Sequence, residues 1–116
     1  MKEWYTISTI THKELKATLN LKRQNFDVYY PKYKKMIKHA RKIQTVIRPL
    51  FPGYLFVLLD INSQSWHKIN STYGVKQLIT MGLKPVSISK DIILSLKNRE
   101  DSNGVTDITS DLVYKK

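Results

Sequence analysis

The stretch PLFPGYLFV, Pro49 to Val57, opens into the longest apolar run of the chain, YLFVLL at Tyr54–Leu59. The run is β-rich and nearly continuous, the pattern of a central strand buried on both faces. Side chains alternate along a strand, so Tyr54 and Phe56 share one face while Leu55 and Val57 share the other. Apolar content alone assigns the stretch to a core. The alternation adds that one face can pack on helices while the other builds a partner surface.

Toward the N-terminus, Glu3–Ile10 (EWYTISTI) is aromatic and β-branched and reads as a strand. Thr11-His12-Lys13-Glu14 fits a capping box, in which the Thr hydroxyl accepts from the Glu14 N–H and the carboxylate reaches back. The helix it opens should run from about His12 to Asn25, with Ala17, Leu21, Thr18, Leu15 and Leu19 on one broad face. Lys13, Lys16, Asn20 and Arg23 cluster opposite. Phe26–Lys35 reads as a second strand that bends at Pro31, which cannot donate to a ladder. Met36–Thr45 is basic and lacks Gly and Pro; it is read as an extended basic hairpin or a mobile loop, with a short helix as the alternative.

Toward the C-terminus, Ser63–Asn70 reads as a short helix capped by Ser63, with Trp66 and Ile69 inward. Val75–Thr80 is a strand, and Gly82 and Pro85 frame a turn into an edge strand at Val86–Ile88. Ser89 caps a last helix, Lys90–Arg99, whose Asp91 suits the first turn and whose Ile92, Ile93 and Leu96 face inward. Beyond Glu100 the pattern turns polar, with a strand expected from Leu112. The order is an α+β, ferredoxin-like βαββαβ plan: an antiparallel sheet with helices on one face, a basic hairpin insertion at about 36–46 and an extra C-terminal helix.

The chain carries 20 basic and 9 acidic residues, a net charge of +11. Residues 28–59 hold Lys32, Lys34, Lys35, Lys38, Arg41, Lys42 and Arg48 and no acid, so +7 of the +11 lies there. Such a concentration favours a polyanionic partner over a merely soluble loop. Cysteine is absent, which excludes disulfides and thiolate metal sites. His12, His39 and His67 lack the spacing of a helical metal pair, and no nucleotide-binding or nucleophile motif occurs. The expectation is a binding protein and not an enzyme, with no cofactor and no membrane span.

Trp4-Tyr5, PLFPGYLFV, STYGV at Ser71–Val75 and the Gly82/Pro85 turn follow in that order. As a set they resemble the N-terminal (NGN) domain of the NusG family of transcription elongation factors, which includes the antiterminator RfaH. The resemblance covers about residues 3–100. It implies a monomeric, cytoplasmic, nucleoid-associated bacterial factor lying across the RNA polymerase cleft, on the clamp helices of the β′ subunit and near the gate loop of β. There it would hold the clamp closed, contact upstream and non-template DNA and reduce pausing. Leu21–Lys35 and the PLFP spelling look RfaH-like, whereas Ser65-Trp66-His67 looks like housekeeping NusG. The balance favours a specialised paralog. Residues 1–100 are then the NGN domain, and 101–116 a linker toward a KOW domain that recruits the ribosome or Rho and is absent from this chain.

The resemblance also implies roles for individual residues. Ser8, Phe51, Pro52, Tyr54, Phe56 and Leu96 fall in the clamp-helix pocket, with Tyr54 and Phe56 expected at the surface. Leu96 fits the core equally well, and Ser8 stands where some relatives place an aromatic. Ser65, Trp66 and His67 align with the gate-loop contact, although Trp66 also fits a core position. Lys16, Asn20, Arg23 and Gln24, extended by Lys68 and Tyr73, lie where relatives meet DNA. Cations beside an aromatic suit an unpaired strand, through phosphate contacts and stacking; a solvated helix face is the plainer reading. Lys34, Lys35, Lys38, Arg41 and Lys42 would line the hairpin toward upstream DNA. The rival class is a free-standing single-stranded RNA-binding module on the same plan, against which stands the lack of an RNP1-like run.

Overall fold

The computed structural model describes residues 1–63 and 65–106. The strand expected from Leu112 lies outside the described residues. In chain order the elements begin with β1 (Glu3–Thr9), α1 (Glu14–Arg23), β2 (Asp27–Tyr29), β3 (Lys32–His39), β4 (Lys42–Pro49) and β5 (Tyr54–Leu59). There follow α2 (His67–Asn70), β6 (Val75–Leu78), β7 (Thr80–Met81), β8 (Lys84–Pro85), β9 (Ser87–Ile88), α3 (Lys90–Asn98) and β10 (Val105–Thr106). The main sheet runs β2-β5-β1-β6, with β9 also paired to β1. The pairings within it are antiparallel. The α+β, ferredoxin-like plan is therefore the fold.

The PLFPGYLFV stretch supplies β5, and its alternation divides the core in two. Leu55, Val57 and Leu59 pack with Tyr5, Ile7, Ala17, Leu21, Val28, Ile69 and Leu78 beneath α1 and α2. Phe56 packs with Trp4, Tyr29 and Ile93, with Leu58, Ile88 and Leu96 against them. The helices of the βαββαβ unit, α1 and α2, share one face as expected. The extra C-terminal helix α3 takes the other, because Trp4, Tyr29 and Phe56 make that face too apolar to leave in water. Ile93 enters this second core, while Ile92, also expected inward, is exposed.

Two of the three helix starts differ from expectation. His12 adopts φ 64°, which places Lys13 at the N-cap of α1 with no side-chain cap bond. Thr11 and Glu14 thus form no capping box. The buried stripe of α1 is Glu14, Ala17, Thr18 and Leu21, leaving Leu15 and Leu19 exposed. The expected broad face was too wide for a helix that meets the sheet along one narrow line. α2 is a single turn with Trp66 at its N-cap and no side-chain cap, so Ser63 does not cap it. Ser89 does cap α3, accepting from the Asp91 N–H at 3.1 Å.

The basic segment is a hairpin longer than expected, β3 with β4 from Lys32–Pro49 to His39–Lys42. Pro31 ends the pairing of the body, and the ribbon starts beyond it. Ala40 and Arg41 make the two-residue turn, both left-handed at φ 52° and 65°. That is the geometry whose twist matches a hairpin, reached here without Gly or Asn. β10 then adds parallel to β3 at Lys32 and Tyr33. The segment expected as a linker from residue 101 therefore carries a strand as far as Thr106. Asp101 holds it, accepting from Asn103 N at 2.8 Å and Val105 N at 3.1 Å.

Candidate binding surfaces

The turn before β5 builds an aromatic patch. Tyr54 N donates to Phe51 O at 3.0 Å, closing the turn around Gly53 at φ +86°. A side chain at this φ is strained, which is why glycine stands there. Phe51 is 39% exposed and Tyr54 44%, while Phe56 is only 8% exposed. The surface expected for Phe56 is thus corrected: its ring is buried among Trp4, Tyr29 and Ile93. It forms a floor, with Phe51 edge-on to it at 5.7 Å between centroids. Ser8 lies opposite Tyr54 in register and is half-buried, so no aromatic fills that corner. Leu96 is half-buried against the same cluster and Pro52 is exposed. The Ser8, Phe51 and Tyr54 side of the sheet is consequently half open, because α3 covers only the part around Trp4 and Phe56.

A second surface joins α1 to the turn after α2. Asn20 Nδ2 donates to Tyr73 O at 3.2 Å, and Arg23 donates to Asn20 Oδ1 at 3.0 Å. Gln24 Nε2 donates to Thr72 Oγ1 at 2.8 Å. The Lys16 ammonium lies 5.8 Å from the centroid of the exposed Tyr73 ring. Lys68 is exposed, and its carbonyl accepts from Ser71 and Thr72. Gly74 makes this junction possible: a Cβ there would stand 2.9 Å from Ala17 N, and its φ is +96°. Lys16, Asn20, Arg23, Gln24, Lys68 and Tyr73 are thereby gathered on one ridge.

Ser65 and His67 are exposed, and Trp66 is half-buried against the main core with its ring stacked on His67 at 3.8 Å. On the hairpin, Lys34 pairs with Asp101 at 3.2 Å. It is the one member of Lys34, Lys35, Lys38, Arg41 and Lys42 with an ion pair among the described residues. Backbone donors from Val105 and Asn103, with Lys34 beside them, hold the Asp101 carboxyl below its usual range. Sequence reasoning gave Glu14 only a capping role and did not single out Lys97. Glu14 is buried, accepting from Gly53 N at 2.8 Å. The Lys97 ammonium lies 5.1 Å from the rings of both Trp4 and Tyr29. Neither carries a local signal, since each partner is 39 or more residues away. Among the described residues, no group of three His, Cys, Asp or Glu side chains could hold a metal ion.

Fold and surfaces together define a ferredoxin-like domain with a half-open aromatic face and a basic ribbon. The family model described as "Transcription termination factor nusG" matches residues 2–97. The chain belongs to the NusG family. It is 29% identical over 104 residues to the transcription termination/antitermination protein NusG of Thermus thermophilus, covering 77% of this chain and 56% of that protein. It is 31% identical over 100 residues to NusG of Helicobacter pylori, covering 78% of this chain and 57% of that protein. The chain thus spans somewhat more than half the length of these relatives. A Thermotoga maritima NusG structure shares the fold, with a TM-score of 0.56 and 21% identity, covering 83% of this chain and 55% of that one. No helix among the described residues is long and apolar enough to cross a membrane.

Proposed function

We propose that this domain is the polymerase-binding part of a transcription elongation and antitermination factor, a specialised paralog of RfaH type. It binds and does not catalyse, as a monomer in the bacterial cytoplasm at the nucleoid. Phe51 and Tyr54, over a floor of Phe56 and Leu96 and beside Ser8 and Pro52, receive the clamp helices of the β′ subunit. Ser65, Trp66 and His67 meet the gate loop of β. The Lys16–Tyr73 ridge faces the non-template strand, where its cations meet phosphates and Tyr73 offers a stacking surface. Lys35, Lys38, Arg41 and Lys42 extend along the ribbon toward upstream DNA. Ribosome or Rho recruitment would belong to a KOW domain and not to residues 1–100.

The observation that carries this reading is the half-open face. Two large aromatics stay exposed beside a packed aromatic floor, an arrangement suited to an interface hot spot. The same observation weighs against the free-standing RNA-binding module. Such a module stacks bases on the open sheet face, and here α3 covers Trp4, Tyr29 and Phe56.

The test is binding to core RNA polymerase. Phe51→Ala with Tyr54→Ala should weaken it at least about tenfold, the scale of a hot-spot truncation, with the fold intact. Binding like the wild type would remove the pocket assignment. Tight, salt-steep binding to single-stranded RNA without polymerase affinity would favour the rival.

A further inference from the structure

Among the described residues Glu14 is the one buried acid, 6% exposed. Burying a carboxylate is costly unless its oxygens receive hydrogen bonds. At the start of α1 it makes no cap. Its Oε2 instead accepts from Gly53 N at 2.8 Å, across 39 residues of chain. The Gly53 carbonyl accepts from Thr9 N at 2.8 Å. Gly53 is therefore held from both sides, by a side chain of α1 and by the backbone at the end of β1. Phe51 and Tyr54 flank it, joined by the 3.0 Å bond that closes the turn. A bond from N–H to an ionised carboxylate is stronger than one to a neutral acceptor. That strength is placed at the one residue of the turn with no side chain of its own to anchor it.

We infer that Glu14 is a positioning residue for the aromatic patch: its carboxylate fixes the Phe51–Tyr54 turn so that both rings are presented together to the partner. The inference rests on the reading of Phe51 and Tyr54 as polymerase contacts. Glu14 itself touches no partner. Its contribution is preorganisation, which removes the ordering that binding would otherwise require.

Three substitutions test it. Glu14→Gln keeps an acceptor oxygen on the same stem. Glu14→Ala removes both acceptor and stem, and Glu14→Met keeps an apolar stem without the acceptor, so that a folded non-acceptor variant is in hand. In amide exchange by NMR, Gly53 should exchange about 10- to 100-fold faster in the Ala and Met variants, the range expected for losing a charge-assisted bond. The Gln variant should stay within about threefold of wild type. In binding to core RNA polymerase, Glu14→Met should weaken affinity about tenfold, and Glu14→Gln should restore most of it. In a Phe51→Ala/Tyr54→Ala background the same change should shift affinity less than about twofold, since nothing remains to be positioned. Unchanged Gly53 exchange in the Met variant, or losses that simply add in that background, would overturn the positioning role alone. Wild-type binding by Phe51→Ala/Tyr54→Ala would instead overturn the pocket, and the role would fall with it.

Discussion

The two faces of the main sheet use the same strands differently. On one, Leu55, Val57 and Leu59 are sealed beneath α1 and α2 by aliphatic packing. On the other, Trp4, Tyr29 and Phe56 are covered by the single helix α3, and the sheet lies half open toward Phe51, Ser8 and Tyr54. Burial is complete where two helices share the load and stops where α3 ends. The difference shows how a strand with an almost unbroken apolar sequence can serve a core and a surface. Each residue's depth is set by what the opposite layer covers, and not by its own hydropathy.

The largest effect should come from emptying either face. Leu55→Ala should cost about 2–5 kcal/mol and Phe56→Ala about 3–5 kcal/mol, the usual range for buried aliphatic and aromatic truncations. Denaturant unfolding reads both. A Phe56 loss below about 1 kcal/mol would mean that α3 is only loosely seated and the faces are less alike than their burial indicates. Next, Gly74→Ala should destabilise by roughly 1–3 kcal/mol, combining left-handed strain with a clash against α1. The change acts at the rim of the closed face, so heteronuclear NMR should place its shifts at Ala17 and Tyr73 and spare α3.

A pH titration distinguishes the faces in another way. Burial, and donation of its hydroxyl to the Glu100 carboxylate, push the Tyr29 phenol well above its ordinary value of 10.0. The folded state then holds this proton more tightly than the unfolded chain. Its contribution is fully present below the unfolded value and is lost as pH rises through and beyond it. Stability should therefore fall above pH 10, and Tyr29→Phe should flatten the fall. Tyr5 and Tyr30 are also raised, chiefly by burial, so part of the decline should persist in that variant. An unflattened curve would show that Tyr29 is not the main alkaline group of the open face. The smallest effect is expected at Lys97, whose removal to Ala should cost about 0.5–1 kcal/mol through the lost cation–π contacts, read from the thermal midpoint.

Much of this was legible in the sequence where periodicity carries the information. The alternation of Tyr54–Leu59 anticipated the two faces, and Ser89 signalled the start of α3. Pro31 marked the break between β2 and β3. What could not be read was set by tertiary partners. Thr11 and Glu14 satisfy a capping box by spacing, yet His12 turns left-handed and Glu14 swings to Gly53. Phe56 and Tyr54 look equivalent along the strand and differ only because α3 reaches one of them. Leu15 and Leu19 fit an apolar stripe wider than the line along which α1 meets the sheet. The ridge of Lys16, Asn20 and Tyr73 was grouped from family resemblance, whereas its hydrogen bonds run between residues up to 53 apart.

The ribbon's turn has a mechanical implication. Ala40 and Arg41 hold left-handed backbone that glycine or asparagine would adopt more readily, at a cost of roughly 1–2 kcal/mol per residue. The turn therefore adds local strain to the hairpin, which the paired strands below it must offset. The basic end is thus the part of the ribbon that its own local backbone preference supports least. A partner that grips the tip would stiffen the whole arm, and Ala40→Asn with Arg41→Gly would stiffen it without one.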